Sequence, residues 1–172
     1  MDSFILTTKP NSSTRVRAKI KNENESKSKI SIHSYSGRIQ MKPKFYRKVL
    51  KNGMTVLFEK RENTVVSVAF AVRCGGINEA SYEKGISHFI EHLMYKGTPK
   101  RNSRQISEEI EKKGGILNGF TDESITAYWC KIPSKHVGTA LDVLSDMVKN
   151  PLFDEKEIEK ERQVIFEEIK MY

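Results

Sequence analysis

The chain has 172 residues, a formal net charge of +8, 37% hydrophobic and 30% charged residues. That length carries one domain with a modest core. The longest apolar run, 65–72, is broken by Ser67 and far too short to cross a bilayer, and no secretory signal is legible.

The charge is uneven. Residues 1–42 hold nine Lys and Arg against three acids, whereas the rest of the chain holds 21 against 19. This leader is rich in Ser, Lys and Asn and poor in apolar residues, so it reads as a disordered extension, with a folded domain over 43–172. As an organelle-targeting peptide it is unconvincing, because Asp2, Glu23 and Glu25 intrude and no amphipathic Arg stripe runs through it. A generic electrostatic tether to nucleic acid or anionic lipid is its other use, with no specific nucleic-acid recognition expected. Cys74 and Cys130 allow a single disulfide and lack metal spacing. Reduced core thiols are expected, which suits a cytoplasmic chain, or an organelle matrix if the leader targets it there.

In the folded part, 45–50 and 55–59 flank Asn52-Gly53 and predict a hairpin. Residues 65–72 are rich in β-branched side chains and read as a buried central strand ending at Gly75-Gly76. A helix is expected over 85–96, with Ile86, Phe89, Ile90 and Leu93 on its packed side, stopped by Thr98-Pro99. A second helix follows over 103–113, capped by Ser103 and ended by Gly114-Gly115. Strands are expected over 116–120 and 124–132. A third helix over 134–149 should pack through Val137, Leu141, Leu144 and Val148, and His33 and His136 read as bystanders. The last segment, 154–172, reads as a helix with Asp154 as N-cap and a stripe of Ile158, Ile165 and Ile169. Grouped strands with helices to one side give an α+β fold, an antiparallel-rich mixed sheet with helices packed on one face.

The chemistry concentrates in His88-Phe89-Ile90-Glu91-His92. Steps of three and four residues are neighbours on a helix. Two imidazoles at that spacing can bind one divalent ion, zinc above all, and the carboxylate between them can take a proton from a water that the ion activates. The bland alternative is a solvated helix face with Glu91 as an ordinary ion-pair partner. A catalytic zinc site has three protein ligands and an open position. Glu161 and Glu168, seven residues apart, face nearly the same way on the last helix. One can serve as ligand and the other as its support, or both can be solvated acids.

The run His88-Phe89-Ile90-Glu91-His92-Leu93-Met94-Tyr95-Lys96-Gly97-Thr98 resembles the inverzincin, or pitrilysin, family of zinc peptidases, particularly its processing-peptidase-like branch of small bacterial members and the mitochondrial processing peptidase β subunit. Gly75-Gly76 with Glu79, the stretch 114–121, Thr126-Ala127-Tyr128-Trp129 and the stretch 161–172 agree in order and spacing. The resemblance implies that His88, His92 and Glu168 bind one zinc ion and that Glu91 is the general base. Glu161 takes the supporting acidic role. Asn118 lies on the strand segment that pairs with substrate, where its amide can hold a peptide carbonyl. Family members are much longer and close a chamber between two related halves. The resemblance therefore implies that 43–172 is the first part of such a domain, completed by a second family subunit or by another copy.

The function expected is a zinc endopeptidase that cleaves unfolded peptides or presequence-like segments. The alternative is a non-catalytic or truncated partner subunit of a processing-peptidase-like complex, although such chains typically lose the ligands that are present here. A third class is a basic binding module acting through residues 1–42.

Overall fold

The computed structural model describes residues 44–60 and 63–171; the leader expected over 1–42 lies outside them. Strands β1 (Lys44–Val49) and β2 (Thr55–Lys60) form the expected hairpin. Gly53 turns it with φ +86°, and Asn52 Oδ1 accepts the Met54 N–H at 3.2 Å. Strands β3 (Val65–Val72), β4 (Ile116–Thr121) and β5 (Thr126–Pro133) form a second sheet in the order β3-β5-β4. The ladders of both sheets are antiparallel throughout. The central strand of the second sheet is therefore β5, not β3 as its apolar run suggested. Helix cover alone buries one face of β3, so an apolar run does not reveal how many strands flank it.

Among the described residues four α-helices complete an α+β fold: α1 (Ile86–Leu93) and α2 (Ser103–Glu111) between β3 and β4, and α3 (Val137–Lys149) and α4 (Glu155–Lys170) after β5. The core lies between one sheet face and two of them. Val68 and Phe70 of β3 and Tyr128, Cys130 and Ile132 of β5 meet Ile106 and Ile110 of α2 and Ala140, Val143, Leu144 and Met147 of α3. The two apolar helix sets follow helical spacing, which is why these faces pack. Inward rows cross the sheet as Val68–Cys130–Leu117 and Phe70–Tyr128–Gly119.

Several details differ from the sequence expectation. The packed face of α3 runs through Ala140, Val143, Leu144 and Met147, while Val137 and Leu141 are exposed. The apolar arc of this helix is wide, and Val137 and Leu141 lie toward its solvent-facing side, after a 3-10 turn at Ser134–His136. On α1 only Leu93 of the expected apolar set is buried, and Ile86 and Ile90 are exposed, because Ser87 and Glu91 take inward positions. Ile169 of α4 is likewise exposed. The cap of α2 is Asn102 rather than Ser103: Asn102 Oδ1 accepts the Gln105 N–H and Gln105 Oε1 accepts the Asn102 N–H, both at 2.9 Å. Asp154 caps α4 as expected. Both cysteines are free thiols, and only Cys130 is in the core; Cys74 is exposed.

Buried Arg101, just before α2, ties three segments together. It donates to Asp146 at 2.7 Å and to Glu109 at 2.9 Å, and it also pairs with Asp142; Thr98 Oγ1 donates to Asp146 at 2.7 Å. Arg101→Met strands buried Asp146 and should cost about 3–5 kcal/mol in urea unfolding. Burial pushes the Asp146 carboxyl up, but bonds from Thr98, Asn150 and Arg101 outweigh it and hold it down at about 2. A folded-state value below the unfolded one stabilises fully above about pH 4 and is lost as pH falls through that lowered value. Unfolding free energy should therefore drop between about pH 4 and pH 2, and Asp146→Asn should flatten that part of the profile.

Candidate metal centre

The site begins with the segment that aims α1. Gly85 enters the helix at φ +91°, and the Glu79 carboxylate accepts the N–H groups of Gly85 and Ser87, each at 2.8 Å. These two bonds lower the Glu79 pKa, and the negative charge sits where a helix start favours it. The segment is pinned in turn to the β4–β5 connection, where the Ile77 N–H donates to Glu123 O at 2.8 Å. A Cβ on Gly75 would lie 2.0 Å from Asp122 O, so this approach requires glycine.

One turn into α1, the Nε2 atoms of His88 and His92 lie 3.0 Å apart, with the rings edge to face. Glu168, on α4, brings Oε2 to 3.9 Å from His88 Nε2 and 3.8 Å from His92 Nε2. The structure thus assembles the two imidazoles and the distant carboxylate. Zinc with ligands at 2.0–2.2 Å in tetrahedral array spaces its donors by about 3.3–3.5 Å. The observed triangle brackets that spacing, and two nitrogens with one carboxylate oxygen suit zinc. Neighbouring Glu167 is exposed and paired with Lys170 at 2.7 Å, outside the cluster.

Glu161 lies two turns before Glu168 on α4 and is only 4% exposed. Its Oε1 is 2.8 Å from His92 Nδ1, and its Oε2 pairs with Lys96. Burial pushes this carboxyl up, but Lys96 and His92 outweigh burial and hold it below the usual range. With Nδ1 donating to that carboxylate, His92 turns the lone pair of Nε2 toward His88 and Glu168.

Glu91 lies on the sheet side of α1 and is buried, with its carboxylate still close to both imidazoles. Its carboxylate fills a notch above Gly119, where a Cβ would lie 2.7 Å from Glu91 Oε1, 2.5 Å from the Tyr95 hydroxyl and 3.1 Å from Ala127 O. The buried Tyr95 hydroxyl has no hydrogen-bond partner, and its ring packs on Tyr128. Burial raises the Glu91 pKa; His92 and His88 pull it down and Glu168 pushes it up. His88, Glu91 and His92 each offer an atom within 4.8 Å of the others.

Asn118 is exposed on β4, sharing the outer sheet face with Ile116 and Phe120, opposite to the Glu91 notch. Its Oδ1 accepts the Gly119 N–H at 2.8 Å. Four residues with clear parts in the site, Glu79, Tyr95, Lys96 and Gly119, fall within the matching motifs but carry no assigned role in the sequence. The signals were weak. Lys96 stands one helical turn beyond His92, and Gly119 alternates inward with Leu117.

The family model described as Insulinase (Peptidase family M16) matches residues 55–172. An uncharacterized zinc protease of Bacillus subtilis is 42% identical over 128 residues, covering 73% of this chain and 31% of the relative. The mitochondrial-processing peptidase subunit beta of Dictyostelium discoideum is 38% identical over 131 residues, covering 76% of this chain and 28% of its own length. The crystal structure of a protease from Helicobacter pylori superposes with a TM-score of 0.71 at 30% identity, covering 73% of this chain and 31% of that one. This chain therefore spans about a third of the length of the curated relatives it matches.

Glu79→Ala removes both acceptors at the start of α1. It should cost about 1 kcal/mol and speed hydrogen exchange of the first-turn amides of α1, leaving β5 protected.

Proposed function

This chain belongs to the insulinase family of peptidases, and from that premise we propose that its domain over 43–172 is the zinc-binding part of a metalloendopeptidase. His88, His92 and Glu168 would hold one zinc ion. The observation that supports this reading is Glu168, delivered from α4 to nearly equal distances from two Nε2 atoms whose histidines lie on another helix. Solvated acids have no reason to converge in this way.

Zinc held there would polarise a scissile carbonyl and make a water acidic near neutral pH. The other roles belong to the chain's own groups. Glu91 accepts the proton of the attacking water and later gives one to the leaving amine. Its burial raises its pKa, which suits a group that must do both. Glu161 holds the His92 ring and its tautomer. Gly119 leaves room for the Glu91 carboxylate over the sheet.

The substrate proposed is an unfolded peptide or presequence-like segment that pairs with β4, an edge strand among the described residues. Asn118 would release the Gly119 N–H and turn its amide to a peptide carbonyl. Such pairing reads backbone more than side chains. One of the matched relatives is named as a subunit. We propose that a second family subunit or a second copy closes the chamber around this site. The alternative, a non-catalytic partner chain, is disfavoured because the entire donor set and Glu91 are present together.

Glu91→Gln should retain the zinc content of the parent chain and lower cleavage of an unstructured peptide by about 10²–10⁴-fold. Zinc quantification beside the cleavage assay checks both halves. His88→Ala, His92→Ala and Glu168→Gln should each lose the metal as well. Parent-rate cleavage by Glu91→Gln would defeat the general-base role, and undiminished zinc in Glu168→Gln would move the third ligand elsewhere.

A further inference from the structure

Helix α4 runs for 16 residues, yet Glu161 is its only buried residue. It packs chiefly on α1. Ile158 and Ile165 are half-buried, while Val164, Phe166 and Ile169 are exposed. A helix with so little apolar burial draws little of its docking free energy from hydrophobic contact. What grips it is polar. Each oxygen of the Glu161 carboxylate is taken by a group of the α1 segment, Oε1 by His92 and Oε2 by Lys96. Glu161 and Glu168 are two turns apart, so fixing the first fixes the azimuth and height of the second.

We propose that Lys96 is a positioning residue: by gripping Glu161 it sets the register of α4 on α1 and so delivers Glu168 to the two histidines. The inference rests on the zinc-site reading for its consequence, but the grip itself exists without metal. Removing Lys96 leaves a buried carboxylate with one partner fewer, and the simplest relief is for α4 to swing out and hydrate it. Charge alone predicts the opposite effect on metal binding. Losing a nearby cation strengthens attraction for a divalent ion. A fall in affinity would therefore report lost positioning.

The test compares the 172-residue chain with Lys96→Met and Lys96→Arg. It reads hydrogen exchange in zinc-free protein and the zinc dissociation constant by competition with a chelating indicator. In Lys96→Met, amides of α4 should exchange roughly tenfold faster while those of β5 keep their protection. Its zinc dissociation constant should rise about 10–100-fold. Lys96→Arg, which keeps the cation and the reach, should restore both. Wild-type exchange of α4 in Lys96→Met overturns the proposal, as does an unchanged or tighter zinc constant. Loss of β5 protection overturns it too, since Lys96 would then be a general fold contact. A wild-type chain without zinc affinity would sink the site reading instead, and zinc-free exchange would still decide whether Lys96 holds α4.

Discussion

Helix α1 lies against the sheet at a distance set by the missing side chain of Gly119. Any Cβ there would meet the Glu91 carboxylate, the Tyr95 hydroxyl and a backbone oxygen of β5. With glycine, Glu91 points into the sheet, and helical geometry then dictates the rest. Leu93 turns into the core, and the two histidines, one turn apart, turn toward α4. The motif works as a unit because one short helix meets different neighbours on different sides. A sheet lies under its carboxylate, and a second helix lies across its imidazoles.

Three carboxylates surround these imidazoles, and their surroundings separate them. Glu161 is buried but doubly partnered, and stays ionised below the usual range. Glu91 is buried with the two rings as its main opposing influence, and burial wins, so its pKa rises. Glu168 is half-buried and faces both Nε2 atoms. Glu167, one residue away, is turned to solvent and held by Lys170. One residue on a helix is a rotation of about 100°, enough to divide a site group from a surface acid. Environment more than residue type assigns the roles, as in other sites that use several carboxylates for different tasks.

How much of this was legible in the sequence follows from the range of each signal. The hairpin at Asn52-Gly53, the Asp154 cap and the succession of strands and helices rest on local chemistry, and they hold. The one-turn spacing of His88 and His92 is local too. The convergence of Glu168 with them is not: residue pattern left Glu161 and Glu168 equivalent, and only the resemblance separated them. Helix rotation is the other gap: Ile90 on α1 and Leu141 on α3 each lie at the edge of a single apolar arc, and the packing leaves that edge exposed. A polar residue taking the inward position, as Glu91 does, cannot be foreseen until its receptor on the sheet is known. Lys96 stands in the matching run without a role for a similar reason: a lysine becomes a clamp only when a buried acid arrives from another helix.

The proposed metal binding and peptide capture would make different demands on this fold. Every proposed donor to the ion lies on α1 or α4, and the supporting groups lie on α4, in the segments that lead into and out of α1, or on β4 beneath it. That chemistry is compact. The surfaces a peptide would meet are open: Ile116 is 60% exposed and Phe120 46%, and β4 has a partner on one side only among the described residues. An unpaired strand edge recruits another strand through its backbone groups, but it holds a flexible peptide weakly without further walls. Orientation at the reacting carbonyl needs those walls, because a bond that moves by an ångström loses much of the advantage of proximity. On the proposed reading, donor geometry therefore bears on whether the ion binds, whereas turnover would depend on what closes over β4.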